Sequence, residues 1–115
     1  MSTLTTLVPV LDGNNYNIWS KQMEAFLKSS ALWEIVCGRH PAPAAADEDK
    51  PTDAETEAFN VWATEDDRAV GSIVLRLSPA IQRQVEKFGT SRTIWDHLKT
   101  QYGGVSAANV YQDFK

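Results

Sequence analysis

The longest periodic segment of the sequence, residues 53–77, most constrains what the chain can fold into. Apolar residues recur there every three or four positions, which is the spacing of one face of an α-helix. They are Phe59, Trp62, Ala69, Val70, Ile73, Val74 and Leu77. Thr52 is placed to cap this helix, because its hydroxyl can accept a hydrogen bond from a free amide of the first turn. No segment of the chain shows the alternation that is typical of strands, so the sequence predicts an all-α protein.

Two helices are predicted before this segment. Asn14 or Asn15 can cap the first, which ends at the Ser29-Ser30 pair. Its apolar face carries Ile18, Trp19, Met23, Phe26 and Leu27. The second covers about residues 31–37, and Gly38 is placed to end it in the left-handed conformation.

Two more helices are predicted after it. Ser78 and Pro79 begin one of about residues 79–88, since proline is tolerated at the first helical position. The other covers about residues 92–102, with an inner face of Ile94, Trp95, Leu98 and Tyr102. Ser106 is placed to start a last helix. We therefore predict a compact bundle of five to six helices.

The predicted organisation has three parts. Residues 1–11 form an extended N-terminal arm, because they are apolar and β-branched and Pro9 prevents a helix. The arm packs on its own domain or on a neighbour, or it is a loosely docked terminus. Residues 12–102 form the helical domain, with a flexible acidic loop at 39–52. Residues 103–115 are a hinge followed by the start of a further helix.

The charge balance argues against nucleic-acid binding by this domain. Fifteen acidic and eleven basic residues give a net charge of −4, whereas proteins that bind nucleic acid depend on Lys and Arg to neutralise phosphates. RNA is therefore an unlikely partner of this domain alone. The single cysteine excludes an intrachain disulfide, and no apolar run approaches the ~20 residues of a membrane span. We expect no membrane contact and a cytoplasmic location.

The residue types that catalysis needs are scarce. His40 and His97 are the two histidines, and the nearest thiol, Cys37, lies at the edge of the acidic loop. One Cys and two His cannot supply a closed zinc site. The carboxylates of residues 65–67 diverge by ~100° each on a helix and cannot face one proton. We predict no catalytic residue, no metal and no cofactor.

Asp66 differs from its neighbours because it falls on the apolar stripe of the long helix. A buried lone carboxylate is costly, so we expect Asp66 to have a hydrogen-bond or ion-pair partner. With the aromatic residues at helical spacing it completes the predicted structural core. That core consists of Trp19, Met23, Phe26, Trp33, Phe59, Trp62, Asp66, Ile73, Leu77, Trp95, Leu98 and Tyr102.

The order of these residues resembles a known family, the Gag polypeptide of copia-type LTR retrotransposons. The first motif, L-D-G-N-N-Y-x-x-W-x-x-x-M-x-x-x-L, spans residues 11–27, and L-W-x-x-V-x-G follows at residues 32–38. The second half matches in order and spacing through Trp62, Asp66, Ala69, Ile73, Leu77, then Thr90 or Ser91, and Trp95, Leu98 and Tyr102.

The resemblance implies a lobe like the N-terminal lobe of a capsid protein, which self-associates weakly to build a virus-like particle. Such proteins continue into a second helical lobe and often a zinc knuckle. Because this sequence ends at Lys115, we expect either a fragment or a domesticated remnant, which could also be nuclear. Candidate contact residues are Leu7, Val8, Val10, Arg83 and Lys87. The alternative is a domesticated module that binds a peptide or partner protein in an apolar groove between helices.

Overall fold

The structure of the chain is a computed structural model that describes residues 8–103. Five α-helices follow one another in this part of the chain: α1 (Tyr16–Ser29), α2 (Trp33–Val36), α3 (Asp53–Val74), α4 (Pro79–Val85) and α5 (Ser91–Leu98). A single π-helical turn, Lys99–Gly103, continues α5. Within residues 8–103 no strand forms, and Leu11 and Leu77 make one isolated parallel bridge. The prediction of an all-α bundle is confirmed.

Local sequence signals explain where several helices begin. Thr52 and Glu55 form a reciprocal capping box at the start of α3, and Thr90 and Thr93 form another at the start of α5. The backbone N–H of Thr52 donates to the Glu55 carboxylate, which lowers the pKa of Glu55; the Ala46 N–H adds a second bond. Such boxes satisfy amides that a helix leaves free at its N-terminus.

The junction between α1 and α2 is a tight helix ending. The N–H of Leu32 donates to the Leu27 carbonyl at 2.8 Å, and the N–H of Ala31 donates to the Lys28 carbonyl at 3.1 Å. This pair of bonds requires a left-handed residue, which is Ala31 at a φ of 61°. Leu27 and Leu32 are both buried, so the ending also joins two core side chains. Gly38, with a φ of 90°, is left-handed after α2 as predicted.

The core lies between α1, α2, the C-terminal half of α3, α4 and α5. α1 contributes Trp19, Met23 and Leu27, which are four residues apart and fully buried. Ile18 was predicted on the same face but is 55% exposed. It precedes Trp19 by one residue and therefore points ~100° away from the buried row.

Two predicted helices are shorter than the sequence suggested. The helix expected at 79–88 ends at Val85, and the one expected at 92–102 is α-helical only to Leu98. Phe88 still packs on the core from the loop between them. The helix expected after Ser106 lies outside the described residues.

Candidate functional site

Three tryptophans from different helices form an aromatic cluster at the centre of the bundle. Trp19 of α1 stacks on Trp95 of α5 with ring centroids 5.6 Å apart, and Trp33 of α2 meets Trp95 edge to face at 5.3 Å. Aromatic pairs prefer these offset and T-shaped arrangements. The indole N–H of Trp19 donates to the backbone carbonyl of Arg76 at 2.9 Å. The cluster therefore fixes the relative positions of α1, α2 and α5.

A cleft of about 730 Å³ opens beside this cluster, between α1, α2 and the π-helical turn. Trp33 and Trp95 line one part of it, and Tyr16 lines another. Burial raises the pKa of the Tyr16 phenol, which keeps it protonated near neutral pH. The other lining residues are Ser20, Glu24, Cys37, Asp96, Lys99, Thr100 and Gly103. The cleft thus combines aromatic surface with a few charged groups, which suits binding more than catalysis.

Asp66 finds its partner at the start of α5. Its carboxylate accepts a hydrogen bond from the Ser91 hydroxyl at 2.6 Å and another from the Ser91 N–H at 3.2 Å. Asp66 is 3% exposed and Ser91 is fully buried. A carboxylate at a helix N-terminus is also stabilised by the helix dipole. The expectation of a structural hydrogen bond for Asp66 is confirmed, and the bond joins α3 to α5.

The described part of the arm, residues 8–11, lies on its own domain. The N–H of Leu11 donates to the Arg76 carbonyl at 2.8 Å, and the N–H of Ser78 donates to the Leu11 carbonyl at 2.9 Å. The Arg76 guanidinium donates to the Val8 carbonyl at 3.0 Å. Asn15 holds the turn before α1 by bonds to residues 10 and 12 and does not cap the helix with its side chain.

This docking changes the predicted self-association residues. Val8 is 1% exposed and belongs to the core, so it is not available to a partner. Val10, by contrast, is 40% exposed, and Arg83 and Lys87 are also exposed. Leu7 lies outside the described residues.

Phe59 was predicted in the core but is 46% exposed. Its ring packs against Trp62, with centroids 6.1 Å apart, and faces a pocket of about 440 Å³ that it shares with the acidic loop. The loop is attached to α3 at two points, since the Trp62 indole donates to the His40 carbonyl at 2.9 Å and the Ala46 N–H donates to Glu55. Trp62 is half-buried beneath this loop. No other helix reaches Phe59 in the described chain.

The candidate imidazole and thiol groups lie apart from one another. His97 contacts Gln84, which also accepts a hydrogen bond from the Tyr102 hydroxyl. Cys37 accepts from the Arg39 guanidinium at 3.3 Å. Among residues 8–103, no group of three or more His, Cys, Asp or Glu is placed to hold a metal ion, and no helix is long and apolar enough to cross a membrane.

Comparison with known proteins gives two matches. A family model described as the gag-polypeptide of LTR copia-type matches residues 23–114. This chain belongs to that gag family. A protein of Arabidopsis thaliana, the retrovirus-related Pol polyprotein from transposon RE2, is 26% identical over 105 residues. No solved structure matches the chain.

This gag domain corresponds to a small part of that relative. The similarity covers 91% of the chain but only 7% of the Pol polyprotein. The family match begins at Met23, inside α1, and thus after the Leu11–Trp19 part of the first motif. It includes α2 to α5, and with them Trp33, Asp66 and Trp95.

One surface of the gag domain was not predicted from the sequence. Glu57, Val61, Thr64 and Arg68 lie on the outer face of α3, and we call them the outer stripe. All four are exposed, and Val61 retains 50% of its accessible surface. Their spacing of four, three and four residues is the available signal, but the single apolar member made it inconspicuous beside the buried stripe.

Proposed function

We propose that this domain is a structural gag domain that self-associates through weak contacts to build the virus-like particle of a copia-type retrotransposon. The observation that carries the proposal is the family match over residues 23–114, because gag polypeptides are structural components of such elements. The proposed location of the particle is the cytoplasm.

The distribution of apolar side chains supports this function. The aromatic cluster and the Asp66–Ser91 bonds stabilise a bundle whose interior is complete without a ligand. Large apolar side chains nevertheless remain on the outside, namely Val10, Ile18, Phe59, Val61 and Leu75. Scattered apolar groups give individually weak contacts, and a shell multiplies weak contacts by multivalency.

Sedimentation over a concentration series tests the proposal. We expect a monomer in dilute solution and a rising weight-average mass towards millimolar concentration. A tight small oligomer at nanomolar concentration, or a strict monomer at every concentration, contradicts weak self-association. Electron microscopy of the longer polyprotein, with and without this domain, tests particle assembly directly.

The cleft beside the tryptophan cluster favours a second candidate function, which is binding of a peptide or partner protein between helices. Its volume of about 730 Å³ and its aromatic lining are typical of ligand pockets. Because Trp33 and Trp95 line it, titration with a panel of extended peptides should change tryptophan fluorescence saturably. Trp33→Leu should weaken that response, whereas Phe59→Leu, at a distant surface, should leave it unchanged.

A further inference from the structure

The outer stripe is a coherent surface that the described chain leaves uncovered. Together with Asn60 and Glu65 its residues line a shallow depression of about 380 Å³, formed by α3 alone. The stripe lies roughly 140° around the helix from the buried Asp66, Ala69 and Ile73, given 3.6 residues per turn. The 4-3-4 spacing is the one by which a helix presents a narrow seam to a second helix.

The charges of the stripe are separated along the helix. Glu57 lies at one end and Arg68 at the other, eleven residues or roughly 16 Å apart at the helical rise per residue. They cannot pair with each other, and neither forms an ion pair with any residue in 8–103. The stripe therefore presents one free anion and one free cation on either side of Val61 and Thr64.

This order of charges is complementary to its own reverse. If two copies meet across a two-fold axis with their α3 helices antiparallel, Glu57 of each faces Arg68 of the other. Val61 of each then faces Thr64 of the other, since a two-fold contact pairs residues reciprocally. A parallel arrangement would oppose like charges at both ends, so the charge pattern selects the antiparallel one.

We propose that the outer stripes of two copies of this chain pack against each other, antiparallel and across a two-fold axis, as one contact of the assembling gag domain. The inference rests on the self-association proposed above and names the surface that performs it. A single helix face buries less than the ~800 Å² per partner of a standard stable interface, and exposed ion pairs are individually weak. The contact is therefore weak by itself, as a multivalent assembly requires.

Site-specific cross-linking of the full chain tests the geometry. In a Cys37→Ser background, Val61→Cys places a thiol near the proposed two-fold axis, about one helical turn or less from its copy. Asp67→Cys is the matched control, because it is equally exposed on the same helix but points away from the stripe. We expect a short bis-maleimide to yield covalent dimers of the Val61→Cys protein in clear excess over the control.

Charge reversal tests the pairing. Glu57→Arg or Arg68→Glu alone places like charges opposite each other and should weaken dimerisation roughly threefold to tenfold, since two exposed pairs are lost. The double variant Glu57→Arg/Arg68→Glu restores both pairs and should return the dimerisation constant to near the wild-type value. All three substitutions are at exposed positions, and their melting temperatures check that each variant folds.

The outcomes separate the two proposals. If the wild type dimerises and charge reversal leaves its dimerisation constant unchanged, or if the double variant is no better than the single ones, the contact lies elsewhere and this inference is wrong. The proposed function then stands. If the wild type shows no concentration-dependent association at all, both are overturned.

Discussion

The two halves of α3 share one apolar periodicity but have different surroundings. The C-terminal half buries Asp66, Ala69 and Ile73 against the other helices, and its carboxylate holds the start of α5. The N-terminal half contains no buried residue before Asp66, and Phe59 lies there 46% exposed under the acidic loop. One continuous helix therefore serves as core in one half and as surface in the other.

The difference shows that an apolar stripe is buried only where another element reaches it. α1, α2 and α5 surround the C-terminal half, whereas only the loop of residues 39–52 approaches the N-terminal half. The projecting half presents the outer stripe on one side and Phe59 with the loop on the other. Substitutions along this one helix can test the contrast.

The largest effect is expected at Ile73, which is fully buried. Ile73→Ala leaves a cavity and should lower the free energy of unfolding by about 2–5 kcal/mol. Urea denaturation measures the change. Val61→Ala, on the exposed face of the same helix, is the control and should change it by no more than about 0.5 kcal/mol. Equal losses for the two would refute the contrast.

Asp66→Ala is expected to have the next largest effect. It removes the acceptor of the Ser91 N–H and hydroxyl, both of which are buried, and should cost about 1–3 kcal/mol. Asp66→Asn keeps an acceptor oxygen and should cost less. Asp67→Ala, one position away and exposed, should stay within about 0.5 kcal/mol. An unchanged melting temperature for Asp66→Ala would mean that its bonds to Ser91 contribute nothing net.

Gly71→Ala should stabilise the fold. A Cβ at Gly71 meets nothing within 4 Å, so the substitution gains helix propensity, about 0.5–1 kcal/mol, without a clash. Thermal unfolding should show a higher midpoint. The matched control is Gly38→Ala, which should destabilise, because Gly38 is left-handed and its Cβ would lie 2.7 Å from the Arg92 guanidinium carbon. A lower midpoint for Gly71→Ala would indicate that something packs closely there.

The smallest effect is expected at Phe59, although it is the largest side chain of the four. Phe59→Ala should change the free energy of unfolding by only about 0.5 kcal/mol, as at other surface positions. The same denaturation experiment measures it. A loss comparable to that of Ile73→Ala would show that the N-terminal half of α3 is covered in solution.

The sequence by itself determined where the helices begin and end, because those signals are local. Thr52, the Ser78-Pro79 pair and Gly38 each act on amides or dihedral angles within one turn of their own position. The sequence also required a partner for Asp66, since a carboxylate on an apolar stripe is costly to bury alone.

Only the tertiary structure decided which parts of those faces are covered. Periodicity marks one side of α3 as apolar, but burial depends on whether a helix distant in sequence reaches it, as happens at Ile73 and not at Phe59. The same reason applies to Ser91 as the partner of Asp66 and to Val8, which packs on its own domain because the Arg76–Ser78 backbone offers it hydrogen bonds. Those contacts join residues 25 to 68 positions apart, and no local pattern in the chain specifies such pairs.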